Sequence, residues 1–456
     1  MRDVQSSADV SAPTRSMTRR PSAAAIPQTR LGRLARIGLA AGELAAGAAA
    51  EGLRRFARGE SGGFASALLS APNARRLAAR LARLRGAAMK IGQLVSLQGE
   101  DILPPEFARA LAVLRAQAAP MPPQQLRRVL SREFGKGWER RFSAFDYEPI
   151  AAASIGQVHR AITQDGRDLA LKVQYPGVAQ SIESDVDNVA VLLRLFNLLP
   201  LDLDVTALAA EAKRQLGQEA DYLAEARFLE RYSRLVADEP ALVVPRVHWD
   251  LTTRRVMAMD FVEGEPLEVL ARASRSRRDA VGSLLERLVF RELFEFRVMQ
   301  TDPNFANYLY QPASGRVALL DFGATQRLEA PLVANYARIT RSVIAGDREA
   351  TAREAIRIGY AVAGDPPERV EAAVDVIFLA CEPLRHVGRY DFAGSDLPAR
   401  VRALAFDLAF RRGLLRPPPP ATIFLHRKLA GSFLLLARIG ARVDARALVL
   451  PLLAMR

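Results

Sequence analysis

Two short acidic motifs carry the residue types that Mg²⁺-dependent phosphoryl transfer needs: Asp302-Pro-Asn-Phe-Ala-Asn307 and Asp321-Phe322-Gly323. In the first, an Asp is followed five residues later by an Asn, and the second Asp stands nineteen positions beyond the first. At that spacing the first Asp faces an acceptor, while the Asn and the later Asp share a divalent cation. Asp-Phe-Gly alone is weak, because many strands leave a sheet through such a turn. The pair, in order and at this distance, is far more specific. Four apolar residues, Val317 to Leu320, run straight into Asp321, as a buried strand does when it delivers a carboxylate to the edge of a nucleotide site.

Phosphate also needs a cation, and Lys172 fits that part. It ends the run Asp168-Leu-Ala-Leu-Lys172, which follows a Gln164-Asp165-Gly166 turn and an earlier strand through His159. A Lys at the end of a buried strand is costly unless an anion meets it. The order of strand, loop, strand, turn and Lys-bearing strand is that of a kinase small lobe. The loop ahead of it offers Ala151, Ala152, Ala153, Ser154 and Ile155 with one glycine, Gly156, and then Val158, as the nucleotide-covering segment. Alanine enters positive φ less freely than glycine, so this loop is expected to be stiffer than a Gly-rich cradle. Glu225, on a helix expected over 205–236, is the candidate partner of Lys172. Glu219 and Asp221 stand one to two turns earlier, and acids on a helix are more often a solvated face. The main chain of Phe261, Val262 and Glu263, after strands expected over 242–249 and 255–261, would meet an adenine edge.

The rest of the chain must position these groups. With 456 residues, 50% hydrophobic and 25% charged, it is long enough for two lobes and an extension and globular in composition. A single cysteine, Cys381, excludes an internal disulfide framework, and four scattered histidines give no zinc spacing. The net charge of +14 reads as a solvated basic surface, with anionic lipid as the other possibility and no nucleic acid expected. Only five of the 64 basic residues are Lys, so a surviving Lys marks a place that needs a compact ammonium. Lys90 and Lys172 are two of the five. No apolar run is long enough to span a membrane, which makes any membrane association peripheral.

Residues 1–30, rich in Ser, Arg, Pro and Ala, read as a disordered tail. Residues 31–140 read as a helical extension, with helices over 31–56, 74–97 and 105–116 and one more through Phe134. Within it, Lys90 and Gln93 share a helix face beside Gly92, whose missing side chain costs the helix about 1 kcal/mol against Ala. Residues 141–265 form the strand-rich lobe and 266–456 a helical lobe, with a long helix over 277–298 and a rigid break at the prolines 417–420.

Taken together, Lys90-Ile-Gly92-Gln93, the Ala151–Gln157 loop with Val158-His159, Glu219-x-Asp221 and Gln300-Thr-Asp302-Pro ahead of Asp-Phe-Gly resemble the UbiB-type atypical kinases, also called the ADCK family. The Gln-Thr-Asp form looks closest to the mitochondrial coenzyme Q branch. The resemblance covers about 81–328 and implies an α+β, bilobal protein-kinase-like fold whose N-terminal extension covers the active site. It implies ATP and Mg²⁺ as cofactors and a role in ubiquinone synthesis, by ATP hydrolysis more than protein phosphorylation. The alternatives are a nucleotide-switched lipid-binding scaffold and a kinase for a protein or a small hydroxyl compound. Carried over residue by residue, Lys90 pairs with Glu219, Lys172 pairs with Glu225 and the nucleotide, Asp302 is catalytic, and Asn307 and Asp321 hold Mg²⁺. Expected partners are ATP or ADP, an anionic membrane surface, a quinone-precursor lipid and other quinone-synthesis proteins. The expected location is cytoplasmic, peripheral on the inner membrane.

Overall fold

The computed structural model describes residues 120–153, 155–195 and 205–454. The expected tail, the three helices over 31–116 with Lys90 and Gln93, and Ser154 lie outside the described residues.

The strand-rich lobe is an antiparallel sheet of β1 (Phe142–Phe145), β3 (Gly156–Thr163), β4 (Asp168–Gln174) and β6 (Val256–Asp260) in that order, with β2 (Ala151–Ala152) hairpinned onto β3. Strand period two sorts β4 between two cores. Leu169, Leu171 and Val173 face an outer cluster with Trp138, Phe142 and the apolar face of α1 (Pro123–Phe134), whose Leu126, Val129 and Leu130 are buried. Ala170 faces the inner core, and Lys172 and Gln174 share its side of the strand. Lys172 therefore points between the lobes because its neighbours are claimed by the outer core.

Helices α2 (Val178–Leu195), α3 (Val205–Glu219) and α4 (Tyr222–Leu235) follow the sheet. The single helix expected over 205–236 is two. It breaks at Ala220, and Asp221 restarts it as an N-cap, accepting from the Ala224 amide at 3.0 Å. An Asp side chain that satisfies an orphan helix donor is worth about 1 kcal/mol, more than it contributes inside a helix. Gln174 of β4 donates to the freed Ala220 carbonyl at 3.0 Å, which ties the break to the sheet. The strand expected over 242–249 is split: β5 (Leu242–Val243) pairs in parallel with β10 (Arg316–Leu319), and Val247 makes an isolated antiparallel bridge to Met259 of β6. The partner of β5 lies some seventy residues downstream, so local alternation could not reveal it.

The second lobe is built on α5 (Arg275–Arg291), which widens at 292–296 and stops where Arg297 takes φ 52°. The helix expected over 277–298 thus yields its last residues to β8 (Val298–Gln300). β8 pairs with β11 (Thr325–Arg327), while β9 (Tyr308–Gln311) pairs with β10 and with β7 (Glu265–Pro266). Helices α6 (Ala330–Ala345), α7 (Arg348–Ile358), α8 (Pro367–Ala380), α9 (Leu397–Phe406), α10 (Pro420–Ile439) and α11 (Ala445–Ala454) complete it. The proline run does not only break the chain; it starts α10, with Pro420 at the first helical position where its missing N–H costs nothing. No described helix is long and apolar enough to cross a membrane.

Candidate active site

Two loops hold the acidic motifs side by side. Residues 301–307 follow β8 and precede β9; residues 320–324 follow β10 and precede β11. Because β8 pairs with β11 and β9 with β10, both loops are zipped at both ends. Cross-links join them directly: Thr301 Oγ1 donates to the Ala324 carbonyl at 2.6 Å, and the Leu320 amide to the Asn307 carbonyl at 2.9 Å. The hairpin register, Tyr308 opposite Leu319, places Asn307 and Asp321 at the same open end. Asp321 is held by the turn it begins, accepting from the Gly323 amide at 2.9 Å.

Lys172 meets this end from the sheet. Its Nζ donates to Glu225 Oε1 at 2.6 Å and to Asp321 Oδ2 at 3.2 Å. Burial opposes its charge, but the Asp321 and Glu225 carboxylates outweigh it and hold the ammonium well above its ordinary range. Burial pushes Glu225 up to about 7, with Lys172 pulling it back and Asp321 and Glu219 adding to the rise. The ion pair expected from the sequence is therefore formed, and it has Asp321 as a third member. Glu225 sits in the first turn of α4, beyond the Asp221 cap. Phe322, fully buried, packs on Tyr232 of the same helix at 4.8 Å between ring centroids, which joins the Asp-Phe-Gly turn to the Glu225 helix.

Glu219 closes the group from the end of α3, its Cγ 3.6 Å from where a Cβ on Gly323 would stand. The structure thus brings Glu219 beside Gly323 and Glu225. Its expected partner, Lys90, is outside the described residues.

The β2–β3 hairpin lies at the same edge. Ala151 and Ala152 are exposed and pair with Val158 and Gln157, and the Ala153 amide donates to the Gly156 carbonyl at 2.9 Å. Val158 is half-buried and pairs across to Lys172. Ile155 differs from its neighbours: its side chain is 1% exposed within the inner core, so it anchors the hairpin instead of lining the cleft. Gly156 is required by close approach, since a Cβ there would stand 2.5 Å from the Val173 carbonyl oxygen and 2.6 Å from the Tyr222 hydroxyl.

Between the lobes, Phe261, Val262 and Glu263 connect β6 to β7. The Phe261 amide already donates to the Asp168 carbonyl at 2.9 Å, and the Glu263 carbonyl accepts from Gln311 at 2.9 Å. Arg160 covers the Phe261 ring at 4.1 Å.

Asp302 is braced on both carboxylate oxygens. Asn307 Nδ2 donates to its Oδ2 and to its carbonyl, both at 3.2 Å. Arg427, on α10, donates to Oδ1 at 2.6 Å. Neither Arg427 nor its neighbour Lys428 was expected here. Lys428 is buried and reaches Glu292 at 3.3 Å, Tyr308 at 3.3 Å and Gln300 at 3.4 Å, all around the 301–307 loop. Burial opposes its charge, and Glu292 and Tyr308 more than restore it. The rarity of Lys in this chain was a signal for Lys428 as much as for Lys172; Arg427 was hidden among a great many arginines.

One turn further along α10, Gly431 packs on the same loop. A Cβ there would lie 2.0 Å from Cβ and 2.4 Å from Cγ of Pro303, a ring that cannot turn aside. Gly431→Ala is therefore expected to displace the loop beside Asp302, costing about 1–3 kcal/mol in stability and about 10²-fold in turnover. Melting temperature and ATP turnover measured together check it; a variant unchanged in both would contradict the packing.

Residues 113–355 match the ABC1 atypical kinase-like domain. The chain belongs to that family. Its relatives include the mitochondrial atypical kinase COQ8B of Rattus norvegicus, 38% identical over 92% of this chain and 80% of that protein. The mitochondrial atypical kinase COQ8 of Saccharomyces cerevisiae is 37% identical over 92% of this chain and 83% of that one. Among solved structures, the complex of Rv3197 with erythromycin from Mycobacterium tuberculosis superposes with a TM-score of 0.58 at 26% identity, covering 81% of this chain and 92% of that one. The UbiB-type resemblance, the kinase-like α+β fold and the reading as an atypical kinase of the coenzyme Q branch are thereby borne out.

Proposed function

We propose that the protein binds ATP with Mg²⁺ and hydrolyses it, in support of polyprenyl-quinone synthesis at a membrane surface. The observation that carries this reading is Lys172, held charged between Glu225 and Asp321 at the open end of the hairpin that also carries Asn307.

The donor set suits Mg²⁺. Asn307 spends its amide N–H₂ on Asp302, which leaves its Oδ1 as the atom able to meet a cation, beside the Asp321 carboxylate. Two hard oxygen donors, with phosphate oxygens and water completing the shell, is how Mg²⁺ is commonly held in phosphoryl-transfer sites. Bound there, the ion would supply positive charge to the phosphate oxygens. Lys172 would neutralise a further phosphate, kept in place by Glu225. Asp302 would orient a water or hydroxyl, with its direction set by Asn307. Ala151, Ala152, Ala153 and Ser154 would cover the phosphates with fewer accessible main-chain conformations than glycines offer. Phe261, Val262 and Glu263 would meet the adenine edge. Lys90 and Glu219 would form a pair from the N-terminal extension across the substrate side, closing the site to a protein substrate. The relatives named above are mitochondrial proteins, and the location proposed for this chain is peripheral on an inner membrane.

The test is phosphate release from ATP by the full chain with Mg²⁺, with and without vesicles containing an anionic phospholipid, and with a quinone-precursor phenol. Turnover that rises with vesicles and phenol supports the proposal. Nucleotide binding without turnover under every condition would favour a nucleotide-switched scaffold, and label transferred to the phenol or to protein would favour a kinase.

A further inference from the structure

We propose that Arg427 is a positioning residue for the catalytic-loop carboxylate, pinning Asp302 and tying it to α3 through Gln215. The inference rests on the reading of Asp302 as the residue that orients the attacking group.

The geometry is a fork with two tines. One guanidinium nitrogen donates to Asp302 Oδ1 at 2.6 Å and the other to Gln215 Oε1 at 3.2 Å. Gln215 is itself oriented, since its own amide donates to Glu211 at 2.7 Å. Arg427 and Gln215 are buried, at 7% and 4% exposure, so these bonds do not compete with bulk water. A planar guanidinium can satisfy two acceptors at once; an ammonium on a flexible stem holds one direction less firmly.

The helix that carries Arg427 is itself fixed against both neighbours. Gly431 abuts Pro303, Lys428 is locked to Glu292 and Tyr308, and Arg214 of α3 lies over the Phe424 ring at 4.4 Å. With Oδ1 taken by Arg427 and Oδ2 approached by Asn307, the carboxylate has little freedom to rotate. The guanidinium charge also offsets that of Asp302 next to an incoming phosphoryl group. Since α3 ends at Glu219, the same fork connects the carboxylate to the helix that reaches the Asp-Phe-Gly turn.

The test compares kcat and KM for MgATP in the full chain and in Arg427→Gln, Arg427→Lys, Gln215→Leu, Asp302→Asn and the double variant Arg427→Gln with Asp302→Asn. Arg427→Gln is expected to lower kcat by about 10²-fold while KM stays within about threefold. Arg427→Lys should recover part of that loss, and the double variant should fall no further than Asp302→Asn alone. Should Arg427→Gln fail to fold, Gln215→Leu carries the test, with a smaller loss of kcat at unchanged KM. Wild-type kcat in Arg427→Gln, or a loss that adds in full to that of Asp302→Asn, would overturn the role of Arg427 and leave the hydrolysis reading standing. Wild-type turnover in Asp302→Asn, or no turnover in the unaltered chain, would overturn the hydrolysis reading itself.

Discussion

Asp302→Asn is expected to lower ATP turnover by about 10²–10⁴-fold while leaving MgATP affinity within about threefold of the unaltered chain. The argument is geometric. Asp302 stands on a loop held by ladders at both ends, and its carboxylate is gripped by Asn307 on one oxygen and Arg427 on the other. An Asn in its place keeps the shape but loses the charge and must aim its N–H₂ either at Arg427 or at the Asn307 amide group, both of which donate to Asp302. Groups that contact the nucleotide in the proposed site, chiefly Lys172 and the Ala151–Ala153 hairpin, are untouched. Single-turnover kinetics beside equilibrium nucleotide binding separates the two effects. Weaker MgATP affinity with turnover unchanged would mean that Asp302 holds ground state and transition state alike.

Lys172→Met is expected to have the largest effect on both binding and stability. It removes the cation from between two carboxylates, one of them fully buried, and breaking such a pair from one side costs about 3–5 kcal/mol. The deficit should depend on pH. Burial already lifts Glu225 to about 7 in the presence of Lys172, and without that ammonium the carboxyl is pushed higher still. A carboxyl raised above its unfolded value favours the fold fully below the unfolded pKa, and that contribution is lost as pH rises through the folded value. The variant should therefore come closest to the unaltered chain near pH 5 and fall furthest behind near pH 8. Thermal melts across that range check the sign. A deficit that grows on acidification would show that Glu225 is not the group left unpaired.

The parts of the site that could be read from the sequence are those whose geometry is local. Asp302 and Asn307 are five residues apart on one loop, Asp321 ends an apolar strand, and Lys172 follows the alternation of β4. Each signal comes from spacing that a single element enforces. The Lys172–Glu225 pair crosses 53 residues and was reached through the kinase order of elements, not through periodicity. Where reading fell short, a distant contact or a competing local preference decided the outcome. Asp221 broke an otherwise periodic helix by capping its second half, and β5 found its partner in the other lobe. Ile155, in the turn between β2 and β3, turned into the core where its carbonyl accepts from the Tyr175 amide at 2.9 Å, a contact that local pattern does not show.

The largest omission was α10. Arg427 lies 125 residues from Asp302, and Gly431 fits against Pro303 only because two separate segments meet there. Apart from Lys428, one of five lysines, nothing in the local pattern of Leu425-His426-Arg427-Lys428 distinguishes a helix that braces the 301–307 loop from one that merely packs on the lobe.

The measurement that bears most directly on the central claim is phosphate release from ATP by the full chain as a function of Mg²⁺, with Asp321→Asn in parallel. Asp321 combines the two roles proposed for the site, cation ligand and partner of Lys172. The account predicts Mg²⁺-dependent release by the unaltered chain and a loss on the order of 10³-fold in Asp321→Asn. Equal release from both, or release indifferent to Mg²⁺, would contradict it.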